Sequence, residues 1–124
     1  IETKDTFSNM AISKALSKNQ FEDKTGRAFI TRLSEGVMEH LITLDYIINQ
    51  FSKTKVNKCK PLIRCLLRMG VYQILYMDGV PDSAACNESV KLAKKHGFGS
   101  LSGFVNGVLR NVARNKDNIF FFFI

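Results

Sequence analysis

The chain has 124 residues, enough for one domain with an apolar core that needs no disulfide or metal to hold it together. Hydrophobic residues make up 45% and charged residues 23%, which is ordinary for a soluble globular protein and excludes a collagen-like or disordered chain. The 18 Lys and Arg against 11 Asp and Glu give a net charge of +7, which favours an anionic partner such as nucleic acid. Because the basic residues gather in acid-free stretches, binding is favoured over a basic but inert surface.

Several kinds of protein are excluded by what the sequence lacks. The N-terminal segment is polar, without the apolar core of a secretory signal, and no apolar run approaches the ~20 residues of a membrane span. Cys59, Cys65 and Cys86 are odd in number and form no C-x-x-C pair, which predicts free buried thiols in a reducing cytoplasm rather than disulfides or zinc ligands. His40 and His96 lie in ordinary helical sequence. We therefore expect a cytoplasmic protein with no catalytic residue and no metal site.

The first predicted elements are helices. A short helix begins after Ser8, which can cap it. Further on, seven apolar residues recur at spacings of three and four, the period of one helical face. This stripe is long for a single helix, and either Gly36 or the region Glu39–Thr43 could divide it. The stripe consists of Ile30, Leu33, Val37, Leu41, Leu44, Ile48 and Phe51.

A basic linker, Ser52–Lys60, leads to a helix expected at the centre of the domain. Pro61 suits the first turn of that helix. The segment Leu62–Met77 is apolar nearly all round, as a fully surrounded helix requires. Arg64 and Arg68 lie four residues apart and share a side. Structural anchoring is favoured over RNA contact for both, since a charge beside a central helix needs a partner.

Two sharp joints separate the central helix from the next helix, and that helix from the last one. The first contains a glycine that can end the central helix and a proline that prevents its continuation. The second, His96–Gly99, closes the following helix. A polar residue after each joint is expected to cap the next helix. The residues given these roles are Gly79, Pro81, Asp82 or Ser83, and Ser100.

The last two helices each combine an apolar face with a basic one. Three lysines on the first support a solvated face and a phosphate-facing ridge equally. On the second, Gly103 and Gly107 share a side with two arginines. Because glycine inside a helix costs ~1 kcal/mol, we expect a close approach there, by a nucleic-acid backbone rather than in a packing groove. Asn87 and Asn106 are interpreted as structural hydrogen-bonding residues. The candidate RNA-binding residues are Lys91, Lys94, Lys95, Arg110 and Arg114, all in an acid-free stretch.

Two segments carry a family resemblance, LLRMGVYQILYMDGVPDSAACNESVKLAKK and SGFVNGVLRNVAR. They resemble the NusB-like RNA-binding fold, in the version found at the front of bacterial ribosomal RNA small subunit cytosine-5 methyltransferases, the Sun (Fmu) family. Weaker similarity extends back through LSEGVMEHLITLDYIINQFS. The resemblance implies an all-α domain of two small packed helical bundles, spanning residues 1–118, that holds 16S ribosomal RNA for a methyltransferase domain further along.

The resemblance also implies which parts lie elsewhere. The family's glycine-rich cofactor loop and its catalytic cysteines, in Pro-Cys and Thr-Cys contexts, are absent here. S-adenosylmethionine and catalysis are therefore expected to belong to a C-terminal methyltransferase domain outside this chain. The first helix of the fold, arginine-rich in NusB proteins, is expected to precede Ile1. Residues Ile119–Ile124 (IFFFFI) continue no pattern and are interpreted as either a strand-like end or a segment foreign to the domain.

Two other functions stay open at this point. One is the free-standing transcription antitermination factor NusB, which binds RNA and a ribosomal protein. Its family more often has alanine and glutamate where Gly70 and Gln73 stand, and an acidic residue at the position of Arg110. The other is a protein-interaction module with no RNA role, for which no salt-dependent RNA binding is expected.

Overall fold

The computed structural model describes residues 24–123, and within them it contains helices and connecting turns but no strand. The all-α prediction is therefore confirmed for this part of the chain. The short helix expected after Ser8 lies outside the described residues. The helices are α1 (Lys24–Glu39), α2 (Leu41–Phe51), α3 (Pro61–Tyr76), α4 (Asp82–Lys95), α5 (Ser102–Arg114) and α6 (Lys116–Phe123), with short 3-10 turns at Val56–Lys58 and Gly99–Leu101.

The long apolar stripe is divided between α1 and α2 at His40, within one of the two regions expected to break it. His40 leaves the helical region with φ −112° and ψ 23°. Its ring stacks on Tyr76 with centroids 4.5 Å apart, and lies 5.9 Å from Tyr72. His40 is thus the N-cap residue at which α2 begins. Gly36 does not interrupt α1. The Tyr72 ring packs directly against it.

The helix α3 is the centre of the fold, as its all-round apolar sequence predicts. It begins at Pro61 and contacts α1, α2, α4, α5 and α6, so the N-terminal and C-terminal helices share it. The two arginines of α3 serve the structure. Arg68 donates from Nε and Nη2 to the two carboxylate oxygens of Asp45 on α2, both at 2.7 Å. Arg64 donates from Nη2 to the carbonyl oxygen of Cys59 at 3.0 Å. The structural interpretation of both residues is confirmed.

The helix ends near the joints differ from the predicted caps. The helix α3 ends at Tyr76, and Gly79 has no left-handed φ that would make it the terminator. The helix α4 begins at Asp82 without any side-chain cap hydrogen bond, so neither Asp82 nor Ser83 caps it. Ser100 lies inside a 3-10 turn and does not cap α5. The local sequence offers residue types that are suited to capping, but backbone–backbone hydrogen bonds are found at the ends of these helices instead.

The joint between α4 and α5 is a Schellman motif, which fixes how these two helices meet. Gly97 adopts φ +88°, the left-handed conformation that glycine reaches without steric cost. Its N–H donates to the carbonyl of Lys94 at 3.2 Å, and the N–H of Phe98 donates to that of Ala93 at 2.8 Å. The prediction that His96–Gly99 closes α4 is confirmed. After this joint, α5 packs against α4.

The apolar C-terminal residues belong to a helix rather than a strand. The backbone is helical from Lys116 to Phe123, so the strand-like alternative for the tail is wrong over the described residues. Ile119 is buried and joins the core. None of the helices in the described part of the chain combines the length and apolar character needed to cross a membrane.

Candidate nucleic-acid interface on helices α4 and α5

The helix α4 presents its lysines to solvent along one side. Its core side, which includes Ala85, Cys86, Ser89, Leu92 and Ala93, is buried. At 100° per residue, Asn87, Lys91 and Lys94 project within about 60° of one another, and Lys95 lies close by. All three lysines are exposed, as the sequence predicts. Lys94 and Lys95 each lie about one helical turn after Lys91, so the three cations form a row along this side.

The helix α5 continues this surface with a polar stripe opposite its buried face. Val105, Val108, Leu109 and Val112 are buried, and Leu101 and Phe104 pack against the core beside them, which agrees with the apolar face predicted for this helix. On the other side, Gly103 and Gly107 are exposed, and a Cβ built at either would meet no neighbouring atom within 4 Å. The packing-groove alternative for the two glycines therefore has no partner helix within the described residues.

Arg110 joins the two helices. Its Nε donates to Asn106 Oδ1 at 3.1 Å on α5, and its Nη2 donates to Asn87 Oδ1 at 3.0 Å on α4. Both asparagines are therefore structural hydrogen-bonding residues, as predicted from their place inside helices. The sequence did not show that they share one arginine. Only the four-residue spacing of Asn106 and Arg110 hinted at half of this arrangement.

Charge at the edges of this surface is partly compensated. Arg114 is exposed at the end of α5 and donates to Asn111 Oδ1. Lys116 pairs with Asp82 at 3.2 Å, which neutralises the acid at the start of α4. Glu88 is the other acid on α4 and is half-buried. The structure thus brings Arg110 to Asn87, one turn before Lys91 on α4, while Arg114 stands one turn further along α5.

The other basic stretch of the chain divides between α3 and the loop before it. Arg68 is almost fully buried in its ion pair, and Arg64 binds a loop carbonyl. Lys53, Lys55, Lys58 and Lys60 are exposed in the loop between α2 and α3. This stretch therefore places its arginines in structural contacts and its lysines on a loop rather than along one helix.

The cysteines are unsuited to nucleophilic chemistry. All three are free and buried, as predicted. Burial raises the pKa of Cys59, with Arg64 opposing the shift. Burial also raises the pKa of Cys86, where Arg110 lowers it and Asp82 raises it. A thiol held protonated is a poor nucleophile.

These raised thiol pKa values predict a loss of stability at alkaline pH. The folded chain keeps protons that the unfolded chain loses above the ordinary thiol pKa of 9.0, so the stabilisation is complete below pH 9 and declines as pH rises through the folded-state values. Urea unfolding between pH 7 and pH 10.5 measures the decline. The variant with Cys59→Ala and Cys86→Ala is expected to show a shallower decline. Burial and the neighbouring Tyr72 also raise the pKa of Tyr76, and this contribution is the same in both proteins. An identical decline in the variant would contradict the prediction.

A groove with an apolar lining is also present in the described residues. It has a volume of about 620 Å³ between α2 and the start of α6, and its lining contains no charged side chain. Ile42 and Tyr46 are exposed along it. An uncharged apolar groove does not suit a phosphate backbone, so the candidate nucleic-acid interface is the surface of α4 and α5.

The described residues hold no cluster of histidine, cysteine and acidic side chains able to bind a metal ion.

Comparison with known proteins gives one family and two kinds of relative. The family model described as "NusB family" matches residues 1–114. The chain is 36% identical over 114 residues to the probable ribosomal RNA small subunit methyltransferase B of Bacillus subtilis (strain 168), which covers 92% of this chain and 25% of that protein. The chain thus spans about a quarter of the length of the methyltransferase relatives it matches.

The second kind of relative is shorter. The transcription antitermination protein NusB of Bacillus velezensis is 34% identical over 113 residues, which covers 90% of this chain and 83% of that protein. Among solved structures, T. maritima NusB superimposes with a TM-score of 0.72 at 24% identity, covering 94% of this chain and 96% of that one. At this identity the structural likeness establishes the fold, and the all-α NusB-like prediction is confirmed.

Proposed function

The chain belongs to the NusB family, and we propose that it is an RNA-binding domain whose α4–α5 surface contacts ribosomal RNA. The observation that carries this proposal is the placement of Lys91, Lys94 and Lys95 in an exposed row beside the cross-helix residue Arg110. Phosphate contacts by exposed cations give affinity without sequence specificity. The domain therefore serves to hold and orient RNA rather than to read its bases.

Within the family, we further propose that the domain works at the front of a ribosomal RNA cytosine-5 methyltransferase that acts on 16S RNA. The relatives of 36% and 38% identity are both probable ribosomal RNA small subunit methyltransferases B. Arg110, where antitermination factors tend to carry an acid, favours the same choice. The described residues offer no strand-to-glycine-loop-to-helix unit for S-adenosylmethionine. Methyl transfer is assigned to the remainder of such a protein.

The alternative function is that of a free-standing transcription antitermination factor. It is favoured by coverage, since the chain matches 83% of the B. velezensis antitermination protein. An immunoblot of source cells with antibody against the domain separates the two. A native polypeptide several times the 14.0 kDa of this chain supports the methyltransferase, and one of similar mass supports the antitermination factor.

RNA binding is tested by salt titration of charge-matched variants. The test variant carries Lys91→Gln, Lys94→Gln and Lys95→Gln, and the control carries Lys53→Gln, Lys55→Gln and Lys58→Gln. Each loses three exposed cations. For single-stranded RNA, three lost phosphate contacts are expected to lower the slope of log K against log salt by roughly 2, with affinity falling about tenfold or more.

The control is expected to show a much smaller change in both quantities. Equal losses in the two variants would mean that net charge alone drives binding, against the proposed surface. Absence of salt-dependent binding by the unchanged protein would leave the protein-interaction module as the function.

A further inference from the structure

On the premise that the α4–α5 surface binds RNA, we propose that Asn87, Asn106 and Arg110 form a subsite for one phosphodiester group of the RNA backbone. In this subsite Arg110 contacts the phosphate. The two asparagines are positioning residues that fix the guanidinium and add donors of their own.

The hydrogen-bond chemistry of the cluster determines which atoms face outward. A guanidinium can only donate, so each asparagine must accept through Oδ1, as the 3.0 Å and 3.1 Å distances show. The Nδ2 amide group of each asparagine then points away from the guanidinium. Arg110 has five N–H groups, and the two bonds described engage two of them. Asn87 is exposed and Arg110 is half-buried, so the cluster offers solvent both hydrogen-bond donors and a positive charge, a combination that suits an anion.

The guanidinium is held before any ligand arrives. One bond comes from its own helix and the other from α4, so the side chain is fixed across the helix pair. Arg110 is also half-buried, which strengthens its electrostatic interactions relative to an exposed lysine. Because the ordering of a long side chain normally opposes binding, a fixed fork loses less entropy when it binds phosphate.

Open space lies beside the cluster. Gly103 and Gly107 share the polar side of α5 with Arg110, and a Cβ at either position would meet nothing within 4 Å. A phosphate backbone can therefore approach the α5 backbone closely next to the guanidinium. Lys91, one turn after Asn87, stands where it can contact an adjacent phosphate. Charge, donors and access thus coincide at one place on the surface.

The test uses isosteric substitutions that replace the Nδ2 donor of each asparagine by a negatively charged oxygen. In Asn87→Asp and Asn106→Asp the carboxylate still accepts from Arg110, but the outward amide becomes a negative oxygen. Asn57→Asp, at an exposed position in the α2–α3 loop, makes the same change of net charge and serves as the control. Affinity for a mixed-sequence single-stranded RNA oligonucleotide is measured against salt.

Each test variant is expected to bind about tenfold more weakly than the control, with a salt slope lower by roughly 0.7, the value for one phosphate contact on a single strand. Thermal unfolding is expected at or above the temperature of the unchanged protein, because an ion pair replaces a neutral acceptor. Arg110→Lys keeps the charge and loses the fork, and it is expected to weaken binding to a similar extent.

The outcomes separate this inference from the proposed function. If the unchanged protein binds RNA with a salt dependence but Asn87→Asp and Asn106→Asp match Asn57→Asp, the subsite is overturned while RNA binding by the lysine row stands. Full affinity in Arg110→Lys would likewise overturn the subsite. If the unchanged protein shows no salt-dependent binding, both the function and the subsite fail.

Titration with inorganic phosphate alone distinguishes the source of the anion. The side-chain amide resonances of Asn87 and Asn106 are expected to shift at far lower concentrations of RNA than of phosphate, because neighbouring cations hold the strand in place. Shifts with free phosphate that RNA does not reproduce would overturn the assignment to the RNA backbone.

Discussion

Replacing Asp45 by alanine is expected to lower the free energy of unfolding by about 3–5 kcal/mol, because it removes the carboxylate that accepts two hydrogen bonds from the buried guanidinium of Arg68. The Arg68 side chain is only 5% exposed and makes two 2.7 Å bonds to Asp45, which is 26% exposed. The pair joins α2 to the central helix α3, so its loss weakens the contact between these helices. Urea unfolding of the two proteins measures the difference.

Two controls sharpen this prediction. The double variant with Asp45→Ala and Arg68→Met removes the buried charge as well as its partner, and it is expected to recover much of the loss. Asp82→Ala breaks the ion pair between Asp82 and Lys116, and both of these side chains are about one-third exposed. This substitution is expected to lower the free energy of unfolding by no more than about 1 kcal/mol. A similarly small loss in Asp45→Ala would show that the Arg68 pair behaves as a surface pair.

Replacing Gly36 by alanine is expected to destabilise the protein by about 2 kcal/mol despite the better helix propensity of alanine. A Cβ at Gly36 would overlap Cζ of Tyr72. The Tyr72 ring is buried and stacks on Tyr76 with centroids 5.0 Å apart, so it has little room to move. Gly36 is needed because the aromatic stack at the α1–α2 joint approaches the α1 backbone.

The matched control is Gly107→Ala. Gly107 also lies inside a helix, but a Cβ there would meet nothing within 4 Å. Without a clash, the helix propensity of alanine is expected to raise the free energy of unfolding by up to about 1 kcal/mol. Opposite signs for the two substitutions, measured by urea unfolding, would distinguish close packing from helix propensity. Stabilisation by Gly36→Ala would show that the ring moves freely.

The fold alone does not decide what this domain does. One NusB-like fold is shared by the methyltransferase relatives and by the antitermination relatives, at similar identity to this chain. Function is decided by the surface residues placed on that fold. At Arg110 the two asparagines hold one guanidinium by hydrogen bonds from two helices, and variants at these positions test the proposed contact with RNA.

The helical period made much of the architecture predictable. The apolar stripe of α1 and α2, the all-round apolar sequence of α3 and the buried side of α5 follow from spacings within single helices. Exposure of Lys91, Lys94 and Lys95 follows from the same period, since they lie opposite the core side of α4. The predicted glycine joint at the end of α4 also rests on local chemistry, because the left-handed conformation there suits glycine.

What the sequence by itself determined was therefore which side of each helix faces the core. The tertiary structure decided which residues meet across helices: Asp45 with Arg68, Gly36 with Tyr72, and Asn87 with Arg110. These partners lie 23 residues apart in both hydrogen-bonded pairs, far beyond the reach of a helical repeat. The reason is physical: periodicity fixes the direction of a side chain about its own helix axis, whereas a contact between helices also depends on their crossing angle and separation.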